Sequence, residues 1–293
     1  MPQYSNAKLP EHINVSKVSP LKDFISLTGG LLAIAFVLAF TLAIVGNWLA
    51  PKIPYEWEQR LGDVVESTLL DDFNLNSEHP QRAYLQALVD QLWKLQLTHE
   101  SSVNTGPNTI TVHYVESDIA NAFATLGGQI IVTSALLDKI THETGLYFIL
   151  AHEVAHIKYR HPIQAIGRGV LFSLVLSAFT GSQGDDLLDH LTWNTGSLTL
   201  LRFNRHQEQQ SDIEALRTLY QHYGHTEGAF EFFEYLVAEE QKADQNENQV
   251  PVFLSTHPDT QARIVKLKEI AQEQRWQPMP GKSITLQPLP KFE

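Results

Sequence analysis

The stretch Gly145–Arg160, GLYFILAHEVAHIKYR, decides the reading of this chain. Within it His152 and His156 stand four residues apart. On a helix of 3.6 residues per turn that spacing puts both imidazoles on one face, one turn apart and within reach of a single ion. Tyr147, Leu150, Val154 and Ile157 recur at spacings of three and four on roughly the opposite face, so the helix can bury that side while the histidines look into a cleft. Pro162 is expected to end it. Glu153 adjoins the first histidine but points to its side, where a carboxylate can take a proton from an attacking water and return it to a leaving amine.

The chain of 293 residues has no cysteine, which excludes thiolate ligands, disulfide frameworks and cysteine nucleophiles; a metal here must be held by His, Asp or Glu. Catalytic zinc takes three protein ligands and keeps one position open. The third ligand is expected from the segment EQQSD, where Glu208 and Asp212 lie four apart on a second predicted helix that can face the first. Glu208 would coordinate, and Asp212, one turn on, would accept the free ring N–H of a ligand histidine. The expected cofactor is one zinc ion per chain, held by His152, His156 and Glu208, with Glu153 as general base. HExxH alone arises by chance in a chain with 13 histidines; the helical context, the apolar opposite face and the separate carboxylate pair make it specific. The bland alternative for Glu208 is a solvated helix charge. His142, His161, His190 and His206 share no helical register with the pair and read as structural or exposed.

Working outward toward the N-terminus, residues 24–50 carry no charge, and Leu31 to Val45 is almost wholly apolar, enough helix to cross a hydrocarbon core of roughly 30 Å. A permanent single-pass anchor is expected rather than a cleaved signal, because Pro51 and Trp48 make a poor cleavage site. Lys8, Lys17 and Lys22 precede it against Lys52 and Arg60 after it, which places the tail of residues 1–23 in the cytoplasm. The large domain then lies on the extracytoplasmic face, the periplasm of an inner membrane in a bacterium. Residues 51–293 read as one catalytic domain with an irregular, Pro-rich tail from 277. With 21 Lys plus Arg against 33 Asp plus Glu, a net charge of -12 repels a phosphate backbone rather than collecting one, so no nucleic-acid partner is expected.

Leu61, Val64, Val65 and Leu69 recur at helical spacing, as do Leu85, Leu88, Leu92 and Leu95 before a loop with Gly106 and Pro107. Residues 109–115 and 129–133 read as two short strands, and 136–140, 145–159, 208–223, 227–241 and 259–273 as helices. The fold class is therefore α+β, mainly helical with a small sheet, plus one N-terminal transmembrane helix. Leu171 to Phe179 is a second apolar run, too short to span a membrane, and the connection from His161 to Leu200 is a candidate cover for the metal.

HEVAH, the Glu208 and Asp212 pair, NAFATLGGQIIVTSALLD (residues 121–138) and STHPDTQARI (residues 255–264) occur in an order that resembles the CAAX prenyl endopeptidase and HtpX-like family of zinc metalloproteases, in its single-anchor bacterial form. The resemblance covers about Glu56 to Lys266 and implies a zincin-type (gluzincin) domain acting on protein or peptide substrates, misfolded or membrane-associated. It implies the same ligands and base, and it adds His257 and Arg263 as cleft residues that stabilise an oxyanion. Spacing alone leaves His257 as a helix-start residue before Pro258 and Arg263 as one member of a surface ion pair. By the same resemblance, residues 121–128 form a loop leading to a cleft-edge strand that could bind an extended peptide. Prenyl-protein processing is set aside, since it needs several spanning helices. The remaining alternative is a zinc-stabilised membrane adaptor without turnover, which has no need of Glu153.

Overall fold

A computed structural model describes residues 19–63, 79–98, 107–168, 202–246, 252–278 and 284–291. Helix α1 (Pro20–Leu49) begins with Pro20 in its first turn, where a missing N–H costs nothing, and runs 30 residues, roughly 45 Å. Phe24, Leu31, Phe36, Phe40 and Trp48 all lie exposed on it. By length and composition it can cross a membrane, and it is the one such helix among the described residues. After it the chain turns through Ala50–Lys52, and residues 55–63 form a further helix.

That short helix is fixed to the main body. Ala50 packs with Leu126 and Ile163, and buried Glu58 accepts hydrogen bonds from Arg160 Nε and Nη2 at 2.9 and 2.7 Å. Gly62 comes so close to the backbone of Leu126 and Gly127 that a Cβ there would lie 2.7 Å from both.

Helix α2 (Pro80–Leu97) buries Leu85, Leu88, Val89, Leu92 and Trp93, the stripe its periodicity predicts. The sheet has three strands, β1 (Thr111–Val115), β2 (Ala122–Thr125) and β3 (Gln129–Thr133), in the order β1-β3-β2. β3 is parallel to β1 and antiparallel to β2, with Phe123 opposite Ile131. The sequence reading made residues 121–128 a loop before an edge strand; the structure instead makes 122–125 the edge strand itself and β3 the central one. The outer edge of β1 is closed by α2, since Gln86 bonds both Ile110 O and Val112 N and Arg82 Nε donates to Val112 O. The outer edge of β2 faces the active helix.

β2 and β3 are joined through Gly127 and Gly128, at φ +74° and +75°, a left-handed conformation that only glycine adopts without strain. A Cβ on Gly128 would also lie 2.9 Å from Pro107 Cβ, whereas at Gly224 (φ +73°) it would meet open space. Gly224→Ala is therefore expected to cost the conformational strain alone, about 1–2 kcal/mol. Gly128→Ala should cost clearly more, as read by thermal unfolding of the two variants; equal losses would contradict the close approach.

Helix α3 (Ser134–Lys139) leads to α4 (Glu143–Lys158), which is buried on every side from Thr144 to Lys158. It stops at a left-handed Arg160 (φ +55°), and residues 161–168 start a new helical segment, so Pro162 opens a helix as well as following the end of one. The tail segment 284–291 pairs with the residues at the start of α4, with Glu143 N–H donating to Gln287 O and Leu289 N–H to Thr141 O, both at 2.9 Å. Helix α5 (Arg205–Tyr223) lies against α4. It opens on a reciprocal cap between Asn204 and Gln207 and ends at Gly224. Helices α6 (Glu231–Asn246), α7 (Val252–Thr256) and α8 (Thr260–Glu273) complete the body; α7 is absent from the sequence reading. The architecture is mainly helical with a small mixed sheet. The readings made for Val64, Val65, Leu69, Gly106, His190, the run Leu171 to Phe179 and most of the 161–200 connection fall outside the described residues.

Candidate metal centre

The packing of α4 on α5 brings the two short motifs face to face. His152 and His156 project from consecutive turns of α4 with their Nε2 atoms 2.9 Å apart. Glu208, in the first turn of α5, places Oε2 3.6 Å from His152 Nε2 and Oε1 3.5 Å from His156 Nε2. Two donors held about 2.0–2.1 Å from one ion at a tetrahedral angle lie roughly 3.4 Å apart, so this set fits a single metal. His257, between α7 and α8, joins it: Nδ1 is 3.0 Å from Glu208 Oε1 and 3.4 Å from His152 Nε2. One ligand atom from each of the four residues lies within 4.8 Å of the others.

Around them sits a charged frame. Asp212 Oδ1 stands 3.0 Å from His152 Nδ1, a contact off the axis of a straight hydrogen bond. Arg263 Nε and Nη2 donate to Asp212 Oδ2 and Oδ1 at 2.8 and 2.7 Å, while Nη1 lies 2.6 Å from Glu208 Oε2. Arg263 is thus in an ion pair, but a buried one with two carboxylates, not the surface pair that spacing left open. Its fork is committed to those carboxylates. His257 keeps Nε2 buried and without a hydrogen-bond partner, 3.7 Å from Glu153 Oε1, which is likewise unpartnered. Leaving such atoms unmatched costs about 1–3 kcal/mol each, the mark of a place completed by something bound.

Glu153 is fully buried. Its Oε2 accepts the Ala124 N–H of edge strand β2 at 2.7 Å, which ties the carboxylate to the sheet edge. All seven residues singled out from the sequence therefore meet in one place. They do not face an open cleft: His152, Glu153, His156 and His257 have no exposed surface. Phe203, just before α5, stacks on His156 with ring centroids 3.9 Å apart. A groove of about 410 Å³ between α5 and α8 reaches Glu208, Asp212 and Arg263 but is not lined by His152, Glu153 or His156. Sequence reasoning missed Ala124, Phe203 and His161. The last, read as structural or exposed, is buried and touches His156. Of the others, His206 is exposed and His142 half-buried, as expected.

Burial sets the charges. It pushes the Glu153 carboxyl up to about 8, with His152 and the Ala124 N–H pulling the other way. It pushes His156 well below the usual imidazole range and His161 down to about 3. Burial, the largest single influence, raises Glu208 and Asp212 too, but Arg263 together with His257 and His152 at Glu208, and Arg263 together with His152 at Asp212, outweighs it and holds both carboxyls below their usual range. In the metal-free protein Glu153 links stability to pH. Between about pH 7 and 8 the folded state still holds a Glu153 proton that the unfolded chain, with an ordinary carboxyl, has released. The unfolded state binds fewer protons, so stability falls as pH rises through this window. The metal-free parent should lose up to roughly 1 kcal/mol per pH unit relative to Glu153→Gln there. Denaturant unfolding of both forms checks this, and parallel pH dependences would contradict it.

Residues 81–271 match peptidase family M48. The chain is 26% identical over 223 residues to the mitochondrial metalloendopeptidase OMA1 of Schizosaccharomyces pombe, covering 74% of this chain and 62% of that protein. It is 25% identical over 268 residues to the beta-barrel assembly-enhancing protease of Escherichia coli, covering 85% and 51%. Danio rerio mitochondrial OMA1 is 30% identical over 172 residues, covering 56% and 36%. The chain thus spans about half to three fifths of the length of the first two relatives.

Proposed function

This chain belongs to peptidase family M48, and on that premise we propose that it is a membrane-anchored zinc metalloendopeptidase acting on unfolded or membrane-associated proteins. The observation that carries the reading is the convergence of His152, His156 and Glu208 beside a buried, partly unpartnered Glu153. The three ligands would hold the zinc, which when bound supplies a Lewis acid for the scissile carbonyl and lowers the pKa of water.

The chain's own groups do the rest. Asp212 lies against His152 and orients it, and Arg263 pairs with Asp212 and Glu208 and, with the neighbouring histidines, favours their ionised forms. Glu153 Oε2 is pinned by Ala124, which leaves Oε1 to take the proton of the attacking water and pass it to the departing amide nitrogen. His257, whose Nδ1 donates to Glu208, would serve the oxyanion through Nε2 when both ring nitrogens carry a proton; Arg263 acts through the carboxylates it holds. With the β1 edge closed by α2, an extended peptide would pair with the β2 edge and so run past Ala124 and Glu153. Main-chain pairing of that kind selects unfolded segments over side-chain identity.

Helix α1 supports a single-pass anchor, and the lysine excess before it is the ground for proposing residues 1–23 as cytoplasmic and the catalytic domain as extracytoplasmic. The closer resemblance to the CAAX prenyl endopeptidase and HtpX-like branch is part of the same proposal, as is a role in protein quality control. The closed site favours one second reading, a zinc-stabilised adaptor. Full-length protein in detergent, zinc-loaded, decides between them when offered one protein in its native and its unfolded form. Chelator-sensitive cleavage of the unfolded form alone is expected; zinc bound without cleavage of either would move the adaptor ahead.

A further inference from the structure

We propose that His161 is a positioning residue for the metal-binding imidazole of His156, a role that rests on the zinc reading above. His161 lies five residues beyond His156, an offset that on a continuous helix would carry it off the metal face. The chain does not continue as one helix. Arg160 adopts the left-handed conformation at φ +55° and is locked there by buried Glu58 and by Nη1 donating to Ile53 O at 2.6 Å. This reversal swings the next side chain back under the end of α4.

As a result His161 Nδ1 comes 3.0 Å from His156 Nδ1. Two ring nitrogens at that distance share one proton. For His156 to offer its Nε2 lone pair to a metal, the proton must sit on His156 Nδ1, so His161 Nδ1 accepts it. Ser211 Oγ, on the ligand-bearing helix α5, lies 3.3 Å from the same His161 nitrogen and the Gln210 side chain hydrogen-bonds the ring, so its orientation is fixed from the α5 side. His161 is itself only 2% exposed, so the contact is shielded from bulk solvent. His152 thus has Asp212 at its Nδ1, and His156 has His161. An acceptor on the far nitrogen fixes ring rotation and tautomer and is worth about 10- to 100-fold in metal affinity.

The test is zinc affinity by chelator competition on the full-length protein, with His161→Leu, which fills the space without an acceptor, and His161→Asn, whose Oδ1 sits near the place of Nδ1. The Leu variant should bind zinc about 10- to 100-fold more weakly, and Asn should recover most of the loss. A folded Leu variant with parental affinity, or Asn no better than Leu, overturns the proposal; a side chain that only filled space would not show the Asn rescue. Should the Leu variant fail to fold, nitrogen-labelled histidine NMR of the zinc-loaded parent decides: a coupling across the two Nδ1 atoms is expected, and its absence overturns the proposal. A parent that binds no zinc overturns the zinc reading as well. A parent that binds it while the variants match it overturns this inference alone.

Discussion

Glu153→Gln is expected to lower peptide-bond hydrolysis by about 10² to 10⁴-fold in kcat, with little change in KM and none in bound zinc. The substitution keeps the shape of the side chain, and its carbonyl oxygen can still accept the Ala124 N–H that pins Oε2 at 2.7 Å. What it removes is proton affinity. The carboxyl, raised to about 8 by burial, takes up and releases a proton near neutral pH; an amide does neither. The fold should not suffer, because Glu153 sits fully buried with one oxygen unpartnered, and exchanging it for a neutral group relieves a desolvation cost. Steady-state kinetics beside metal analysis check this. A Gln variant that kept parental kcat would remove Glu153 from the chemistry.

The second large effect is on stability. Arg263→Ala should cost the metal-free protein about 3–5 kcal/mol, the usual consequence of leaving buried charges without their partner. Arg263 is the cation between Glu208 and Asp212, which are 1% and 2% exposed, and it makes the largest contribution to lowering both carboxyls against the pull of burial. Without it both should drift up and take protons at higher pH. Arg263→Lys should recover only part, since an ammonium cannot reproduce the two parallel bonds to Asp212. Zinc offsets part of the loss by supplying another cation beside Glu208, so the gap between parent and variant should narrow when metal is added. Denaturant unfolding with and without zinc measures it; an Ala variant within about 1 kcal/mol of the parent in the metal-free state would mean that Arg263 does not hold the frame.

The part of this site legible from sequence is the part that depends on short spacings. His152 and His156, or Glu208 and Asp212, share a helix face by arithmetic, and the long helices follow from apolar periodicity. The resemblance makes β2 a loop, and Ala-Phe-Ala-Thr, with neither β-branched enrichment nor clear alternation, offers nothing in its residue types to correct that. The Gly127-Gly128 pair before a β-rich run was the available signal for a hairpin. Arg263 beside two carboxylates depends on how α8 packs on α5, a long-range fact that no local pattern encodes. His257 came from resemblance, not spacing. Helical register sets His161 apart from the pair, because nothing in the residue type of Arg160 announces a left-handed turn. The closure of the site by packing, with Phe203 on His156, is likewise a property of the assembled fold.

The most direct test is a zinc titration of the full-length protein after stripping by chelator, following hydrolysis of an unfolded protein substrate and bound metal together. Hydrolysis should be absent from the stripped protein and rise to a plateau at one zinc per chain, with His152→Ala and Glu208→Ala showing neither the tight site nor the plateau. Hydrolysis that persists without metal, or one tightly bound zinc with no hydrolysis at any ratio, would contradict the account.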